Sequence, residues 1–576
     1  MRNADVARIF EEITELLELQ GANPFRIRAY RNAALTIGDL TTSLAAIVAE
    51  DPAKLQELPG IGKDLAGKIA TILETGTHPQ LDELRSQFPP GVVEMLRIPG
   101  LGPKKVAVLY KELGITGIAE LKTACEQQQI QGLKGFGKKT EQGILEAIER
   151  TNATEHRALL AEVLPTVEEI AERLRHEPGV ERVEIAGSAR RCKETVGDLD
   201  LLAVSSDSAK VMDSLAADPS VEQVLQRGET KQRVRLRGGM ELDLRVIEKE
   251  SFGAAWQYFT GSKEHNVTLR RMAQQAGLKI NEYGVYRGDK LVAGKSEEDV
   301  YKTLGLPWIP PELRENRREF DWAAAESLPK LLEFKEIRGD LHMHTTETDG
   351  KNSLREMIEG ARERGLEYIA ITDHSKRVSM ANGLTADRLR KQWDQIRKLR
   401  QEYDDIHILC GVECDILEDG ELDLPEKVLA EGEWILAVLH YGLNQNEEQI
   451  TKRLLNAIAS PAVCAIGHPT ARLVGRRPPV AVDINRVLDA AAAAKKILEI
   501  NADPHRLDLD DILAAAAKDK GIKIVIDTDA HSTFGFDNMQ YGVYQARRAG
   551  LTKADVINTL PFSKFKKYLL NGDDSP

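Results

Sequence analysis

Two acids one residue apart, Asp198 and Asp200, close the stretch Gly187-Ser188-Ala189-Arg190-Arg191-Cys192-Lys193-Glu194-Thr195-Val196-Gly197-Asp198-Leu199-Asp200. Residues two apart on an extended chain share a face, so Asp198 and Asp200 point one way and Leu199 and Leu201 the other. Beyond Gly238-Gly239 a second extended run puts Glu241, Asp243 and Arg245 on one face, with Leu242 and Leu244 behind them. If the two strands are neighbours, three carboxylates converge, and they repel unless a cation lies between them. Hard oxygen donors suit Mg²⁺ or Mn²⁺. Two such ions about 4 Å apart can activate an attacking 3′-hydroxyl and stabilise a leaving pyrophosphate. Ser188, Arg190 and Arg191 add a hydroxyl and fixed guanidinium groups, which a triphosphate needs. Solvated strand acids beside arginines are the bland alternative. The Gly-Ser turn with its two arginines weighs against it.

A second set lies near the carboxyl end. Besides His407, seven of the twelve histidines lie beyond residue 340. Asp340-Leu341-His342-Met343-His344 puts both imidazoles on one face of a strand. Thr372-Asp373-His374-Ser375 ends another. Gly411-Val412-Glu413, Leu439-His440, Gly467-His468-Pro469 and Asp529-Ala530-His531 each follow an apolar run. A lone histidine is more often a satisfied core residue. Six of them with acids at successive strand ends are not explained that way. Imidazole and carboxylate together suit Zn²⁺, Mn²⁺ or Fe²⁺.

The third feature is a repeat. Leu58-Pro59-Gly60-Ile61-Gly62-Lys63, Ile98-Pro99-Gly100-Leu101-Gly102-Pro103 and Leu133-Lys134-Gly135-Phe136-Gly137-Lys138 share one pattern, each ahead of a helical stretch. A Gly-x-Gly turn at a helix start lets backbone N–H groups and the helix dipole approach a phosphate closely. Such contacts hold a nucleic-acid backbone without reading its sequence. One copy is equally a helix cap and turn. Three copies with Lys63, Lys104, Lys105, Lys138 and Lys139 nearby point to DNA. The third copy also suits a pure packing role.

The elements that must position these residues fall into three textures. Residues 1–150 read as all-helical, with apolar residues at three- and four-residue spacing, as in Ile9, Ile13, Leu16 and Leu17. From Val180 short β-rich runs appear (Val183–Ile185, Leu199–Leu201, Val234–Leu236), and Gly238-Gly239 suits a hairpin turn. Leu306 to Pro311 and the charged Glu312–Glu319 read as a linker. After Ile337, apolar strands at Tyr368–Thr372, Trp434–Leu439, Ile497–Ile500 and Ile522–Ile526 alternate with helical patterns, which predicts a parallel α/β barrel with its site at the strand carboxyl ends.

Composition bounds the rest. At 576 residues, 42% hydrophobic and 29% charged, the chain is long enough for several soluble globular domains. No apolar run is long enough for a membrane span, and the charged MRNADVARIFEE start is no secretory signal. Five cysteines without a CxxC pair suit a reducing cytoplasm. The net charge is −13 and no third of the chain is basic, so DNA binding must rest on local motifs.

Taken together, Gly187-Ser188 through Asp200, Asp243 with Arg245, and Tyr258-Phe259-Thr260-Gly261-Ser262 resemble the family X DNA polymerases, of which DNA polymerase beta is the familiar member. The resemblance covers about 1–315. It implies metal binding at Asp198, Asp200 and Asp243. It assigns the incoming triphosphate to Ser188 and Arg191, further nucleotide contacts to Gly187 and Arg245, and the sugar pocket to Tyr258, Phe259, Gly261 and Ser262. Asn266 and Arg270 would lie against the minor-groove side of the nascent pair. Cys192 departs from the glycine common there in the family. Lys68 matches the family's Schiff-base lysine of the lyase, but Asp64 stands where eukaryotic members carry a supporting lysine, so Lys68 also reads as a flank of the first hairpin.

Residues 337–576 resemble the PHP domain. That likeness implies up to three ions held by His342, His344, Asp349, His374, Glu413, His440, His468, Asp529 and His531. Asp349 rests on the likeness alone, and His505 lies outside the pattern. A polymerase joined to a PHP domain resembles the bacterial and archaeal type of family X polymerase. The expected divisions are a lyase-like helical domain with the first helix-hairpin-helix (1–80), fingers (81–150), a nucleotidyltransferase palm (151–250), a thumb (251–315), a linker (316–336) and a PHP nuclease domain (337–576). The expected fold is an all-α amino-terminal region, an α+β palm and thumb, and a distorted (β/α) barrel.

The expected activity is gap filling from dNTPs on gapped or primer-template DNA by a monomer, with 3′–5′ exonuclease and abasic-site cleavage in the PHP domain. Two other classes compete. A DNA-end binding scaffold with weak catalysis is disfavoured by the complete aspartate and histidine sets. A small-molecule nucleotidyltransferase and phosphatase is disfavoured by three hairpins that a small substrate does not need.

Overall fold

The computed structural model describes residues 3–571 apart from 39, 41–43, 97, 99–100, 134 and 152–156. The DNA-contact expectation at Gly100 lies outside the described residues. The chain divides into two compact units, Met1–His156 and Arg157–Pro576.

Every named element of the first unit is a helix among its described residues. Helix Asn3–Gln20 turns Val6, Phe10, Ile13 and Leu17 inward at alternating four- and three-residue steps, and all four are fully buried. Burying each such side chain contributes about 1.5–3 kcal/mol. Helices Lys63–Thr75, Pro103–Leu113 and Lys138–Thr151 each start directly after the second glycine of a repeat. Ion pairs on the surface, such as Arg85 with Glu12, add little by comparison.

The second unit opens with a five-stranded sheet in the order Val180–Ile185, Leu199–Ser205, Glu241–Val246, Lys231–Leu236, Val221–Arg227. Leu199–Ser205 and Glu241–Val246 run parallel; the other neighbours are antiparallel. Gly238 and Gly239 turn the last hairpin with φ of +106° and +91°, which glycine alone adopts freely. Leu199, Leu201, Leu242 and Leu244 pack beneath helix Leu160–Arg175 against Val167 and Ile170. On the opposite face Leu202 and Val204 meet Phe252 and Ala255 of helix Phe252–Thr260. Helix Lys263–Gln275 and a three-stranded sheet, Lys279–Asn281, Gly284–Arg287 and Lys290–Ala293, follow.

The stretch Leu306–Glu319, expected as a linker, is instead built into the interior. Ile309 and Leu313 are buried, and so are Arg314 and Glu319. Arg314 reaches both carboxylate oxygens of Glu297 at 2.7 and 3.0 Å, and Glu319 meets His265 at 2.8 Å. Charge density reads as solvated in a sequence, but paired charges can be buried.

The last part is a parallel sheet of seven strands in sequential order: Gly339–Asp340, Tyr368–Ile371, His407–Asp415, Trp434–Val438, Ala465–Ile466, Ile497–Asn501 and Ile524–Asp527. A parallel bridge from Met343 to Ala530 draws the last strand to the first and nearly closes a barrel. Strands Tyr368–Ile371, Trp434–Val438 and Ile524–Asp527 are buried along their length, as expected of a parallel sheet covered by helices. Local signals start those helices: Ser353 and Glu356 form a reciprocal capping box ahead of Leu354–Glu363.

Candidate active sites

Asp200 and Asp243 are direct partners across the parallel pair, with Leu199 opposite Leu242 and Leu201 opposite Leu244 on the other face. The alternation therefore delivers both acids to one edge. Burial first, then the charges of Asp198 and Asp243, raises the Asp200 carboxyl to about 7. That crowding is what a divalent cation relieves, and three carboxylates supply the hard donors it prefers. Arg233 donates to both oxygens of Asp243 at 2.5 and 2.8 Å, and Lys231 lies 3.1 Å from it. These cations hold Asp243 below the usual carboxylate range despite its burial.

A cavity of about 550 Å³ opens beside the acids. Gly187, Ser188, Arg191, Asp198, Asp200, Tyr258, Phe259, Gly261, Asn266 and Arg270, all singled out in the sequence, line it. Three cations that the sequence reading missed line it too: Arg157, Lys193 and Lys263. Lys193 follows Arg190-Arg191 in the same turn, a density of charge that could have flagged it. Gly187 has φ of +64°, and a Cβ there would fall 2.3 Å from an Asp200 oxygen, so only glycine lets the turn close over the acid. Arg191 donates to the Thr260 carbonyl at 2.5 Å and to Glu315 at 3.1 Å.

Several expected residues are held by partners of their own. Arg245 stacks over the Phe259 ring at 4.3 Å. Ser262 caps helix Lys263–Gln275 by accepting from the His265 N–H at 3.2 Å. Asn266 donates to the Tyr258 carbonyl at 2.7 Å and accepts from Gln257 at 2.8 Å, tying the two helices together. Arg190 differs from its neighbour: it grips both oxygens of Glu297 at 2.7 Å and lies 3.4 Å over Trp256. Cys192 sits at φ +54°, a left-handed position that favours glycine, and burial pushes its thiol up to about 12.

In the first unit the three repeats share one backbone hydrogen bond among their described residues. Ile61 N–H donates to Leu58, Leu101 to Ile98 and Phe136 to Leu133, each at 3.0 Å. Gly62 and Gly102 cap their helices, and a Cβ added at Gly62, Gly102 or Gly137 would meet nothing within 4 Å. Gly60 and Gly135 adopt φ of +78° and +88°. Lys104 begins its helix as the second residue. Lys68 pairs with Asp64 at 2.6 Å.

The barrel gathers all nine expected ligands at its carboxyl end. His344, Asp349, His374 and His531 offer atoms within 4.8 Å of one another, as do His342 with Glu413 and His468, His342 with His344 and Asp529, and His374 with Glu413 and His440. Glu413 is the hub. Its oxygens lie 2.5 Å from His374, 3.0 Å from His468, 3.3 Å from His342, 3.5 Å from His440 and 3.7 Å from His344. Those imidazoles hold Glu413 far below the usual carboxylate range although it is buried. His342 Nε2, His344 Nδ1 and Glu413 Oε2 are buried with no hydrogen bond. Orphaned atoms of this kind are costly unless satisfied, and a cation among nitrogen and oxygen donors satisfies them. His468 and Asp529 adopt φ of +27° and +54°, strained backbone typical of functional positions.

Two supporting acids escaped the sequence reading. Glu499 accepts from His342 Nδ1 at 2.6 Å, and Asp415 meets His440 Nδ1 at 3.1 Å. Each leaves the other ring nitrogen free to ligate, the usual outer support of a metal-bound histidine. Their signal was present: an acid in an otherwise apolar strand, and an acid two residues after Glu413. His505 bonds Asp503 at 3.0 Å and joins none of these groups.

Comparison with known proteins agrees with this geometry. Family models match a helix-hairpin-helix domain at 1–78, a SAM-like helix-hairpin-helix tandem at 92–150, the DNA polymerase beta thumb at 255–315 and a PHP domain at 340–503. Rat DNA polymerase lambda is 29% identical over 292 residues, 45% of this chain and 48% of that protein. A probable phosphatase of Thermoanaerobacter sp. (strain X514) is 32% identical over 241 residues, 40% of this chain and 93% of that protein. The DNA polymerase/3′-5′ exonuclease PolX of Bacillus subtilis (strain 168) is 39% identical over 577 residues, the whole of both chains. No described helix is long and apolar enough to cross a membrane. Identical at 39% over the whole of both chains and matched by helix-hairpin-helix, thumb and PHP models, the chain belongs to the PolX family of DNA polymerases.

Proposed function

We propose that this chain fills short gaps in DNA during repair and trims 3′ ends with a separate metal-dependent 3′–5′ exonuclease in its barrel. The observation that carries the reading is that one chain holds both an acid edge beside a cation-lined cavity and a cluster of nine His, Asp and Glu residues at a barrel mouth. The printed name of the full-length relative carries both activities. Residues 1–80 are the lyase-like region, 81–150 the fingers, 151–250 the palm and 251–315 the thumb. The protein acts as a monomer in the cytoplasm, where its five unpaired cysteines stay reduced.

In the palm, Asp198, Asp200 and Asp243 would hold Mg²⁺ or Mn²⁺, which supply activation of a 3′-hydroxyl and charge relief at the leaving pyrophosphate. Ser188 and Arg191 face the dNTP triphosphate, aided by Lys193. Tyr258, Phe259 and Gly261 shape the sugar pocket, with Arg245 and Ser262 holding that wall. Asn266 and Arg270 flank the base pair. The hairpins at Gly60–Gly62, Gly100–Gly102 and Gly135–Gly137, with Lys104, grip the backbone of a gapped or primer-template duplex. Lys68 is the candidate lyase residue; its pairing with Asp64 keeps the ammonium occupied and argues for a role at the hairpin.

In the barrel, the nine ligands would hold up to three ions of Zn²⁺, Mn²⁺ or Fe²⁺, which supply a water acidified towards a pKa of about 7. Glu413, within 3.5 Å of His342, His374, His440 and His468, would be among the residues that hold those ions. Glu499 and Asp415 fix the rings of His342 and His440. The test is activity on a gapped duplex with Mg²⁺ and Mn²⁺ compared, alongside metal analysis of the purified protein. A protein that binds metal yet neither extends primers nor shortens 3′ ends sinks the reading.

A further inference from the structure

Helix Met539–Arg548 belongs to the barrel, but its last turn faces the palm and thumb. Arg548 is buried there, with a side chain 2% exposed. One guanidinium nitrogen donates to the backbone carbonyl of Arg191 at 2.8 Å and to Glu315 at 2.9 Å; the other donates to Asp511 at 2.7 Å. The same Glu315 oxygen accepts from Arg191 Nε at 3.1 Å. Glu315 thus lies between two arginines, one lining the nucleotide cavity and one from the barrel. Burial opposes its charge, and Arg548 followed by Arg191 holds it down to about 2.

We propose that Arg548 is a positioning residue for nucleotide addition: the barrel sets where Arg191 meets the triphosphate. The inference rests on the reading of Arg191 as a triphosphate contact. Arg548 anchors Arg191 twice, through its carbonyl and through the shared Glu315. Without Arg548, Glu315 keeps a full charge in a buried site with Arg191 as its nearest cation, and Arg191 is drawn from the nucleotide. Breaking a buried pair by removing one partner is costly for this reason. The neighbours on the same surface, Arg472 with Glu194 at 2.5 Å and Arg547 with Glu312 at 2.8 Å, keep the contact in place when Arg548 alone is changed.

The test uses the full chain in four forms: wild type, Arg548→Met, Arg548→Lys and Arg191→Ala. Gap-filling KM for dNTP and kcat are measured, together with duplex affinity, thermal midpoint and exonuclease rate. Arg548→Met is expected to raise KM for dNTP roughly tenfold, about 1.4 kcal/mol, with kcat, duplex affinity and exonuclease within about twofold; Arg548→Lys recovers most of the loss. A folded Arg548→Met with unchanged KM, while Arg191→Ala raises it, overturns the inference and leaves the reading of Arg191 standing. An unchanged KM in Arg191→Ala overturns both. Should Arg548→Met lose its fold, Glu315→Gln is read the same way: a raised KM with intact exonuclease supports the relay, and an unchanged KM ends it.

Discussion

His342 and Glu499 meet at 2.6 Å, imidazole Nδ1 to carboxylate, where both side chains are fully buried. The bond places a proton on Nδ1, and Nε2 faces Glu413 and Asp529, 3.3 and 3.4 Å away. A residue in the middle of one strand thereby decides whether a residue at the end of another can ligate. Glu499→Gln is expected to lower bound metal and exonuclease rate by roughly 10- to 100-fold, with primer extension in Mg²⁺ preserved. Metal content by mass spectrometry and end-degradation assays give the answer; a fully loaded, fully active variant would refute the role of Glu499.

Three ligands test the cluster itself. His344 and Glu413 each belong to two convergent groups and His468 to one. Alanine at any of them is expected to abolish most exonuclease activity and to reduce bound metal, while primer extension persists. Retention of 3′-end degradation in all three variants means that the cluster is not the nuclease centre.

The acid edge is independent of the barrel cluster. Asp198→Ala and Asp243→Ala are expected to stop nucleotide addition and spare the exonuclease. Asp243 also accepts from Arg233, so its variant carries a stability loss that a thermal midpoint will register. Normal primer extension by Asp198→Ala would remove the metal assignment.

The hairpins can be probed without breaking the fold. Gly62 and Gly102 have φ of −83° and −74°, and an added Cβ meets nothing. Alanine there costs less than about 1 kcal/mol as a helix cap, yet places a methyl where a phosphate backbone would approach. Gly60 and Gly135 are poor probes, because their left-handed backbone makes any substitution strained. Anisotropy titrations of Gly62→Ala and Gly102→Ala are expected to show weaker duplex binding for any sequence, with log affinity falling as log salt rises. Wild-type affinity in both variants reduces the hairpins to packing turns.

His265 makes stability depend on pH. It is fully buried between Glu319 at 2.8 Å and Tyr301 at 2.9 Å, and burial lowers its pKa despite the carboxylate. The folded chain therefore favours the neutral ring, while the unfolded chain takes a proton near pH 6.5. The contribution is fully present above that value and is lost as pH falls below it. Thermal midpoints at pH 7.5 and 5.5 should show the gap between wild type and His265→Gln narrowing at the lower pH; a constant gap rules this out.

Local pattern alone determined a good deal of this protein. Period-two alternation assigned Asp200 and Asp243 to one face, because a pleated strand leaves no other choice. Apolar runs ending in histidine foretold the barrel mouth, since parallel strands present their carboxyl ends to one side. The three glycine repeats foretold three helix starts, each directly after a second glycine. Tertiary structure decided what no local pattern carries. Glu499 and Asp415 lie within strands, and their partners are set by which strands become neighbours. Arg157 reaches the cavity beside the acids from ahead of the Gly187-Ser188 turn, outside any motif of the sequence. Leu306–Glu319 looked solvated because charge is read residue by residue, whereas burial depends on partners such as Glu297 and His265 that lie elsewhere in the sequence. Arg548 is the extreme case: it lies 357 residues from the carbonyl it holds, and only folding brings them together.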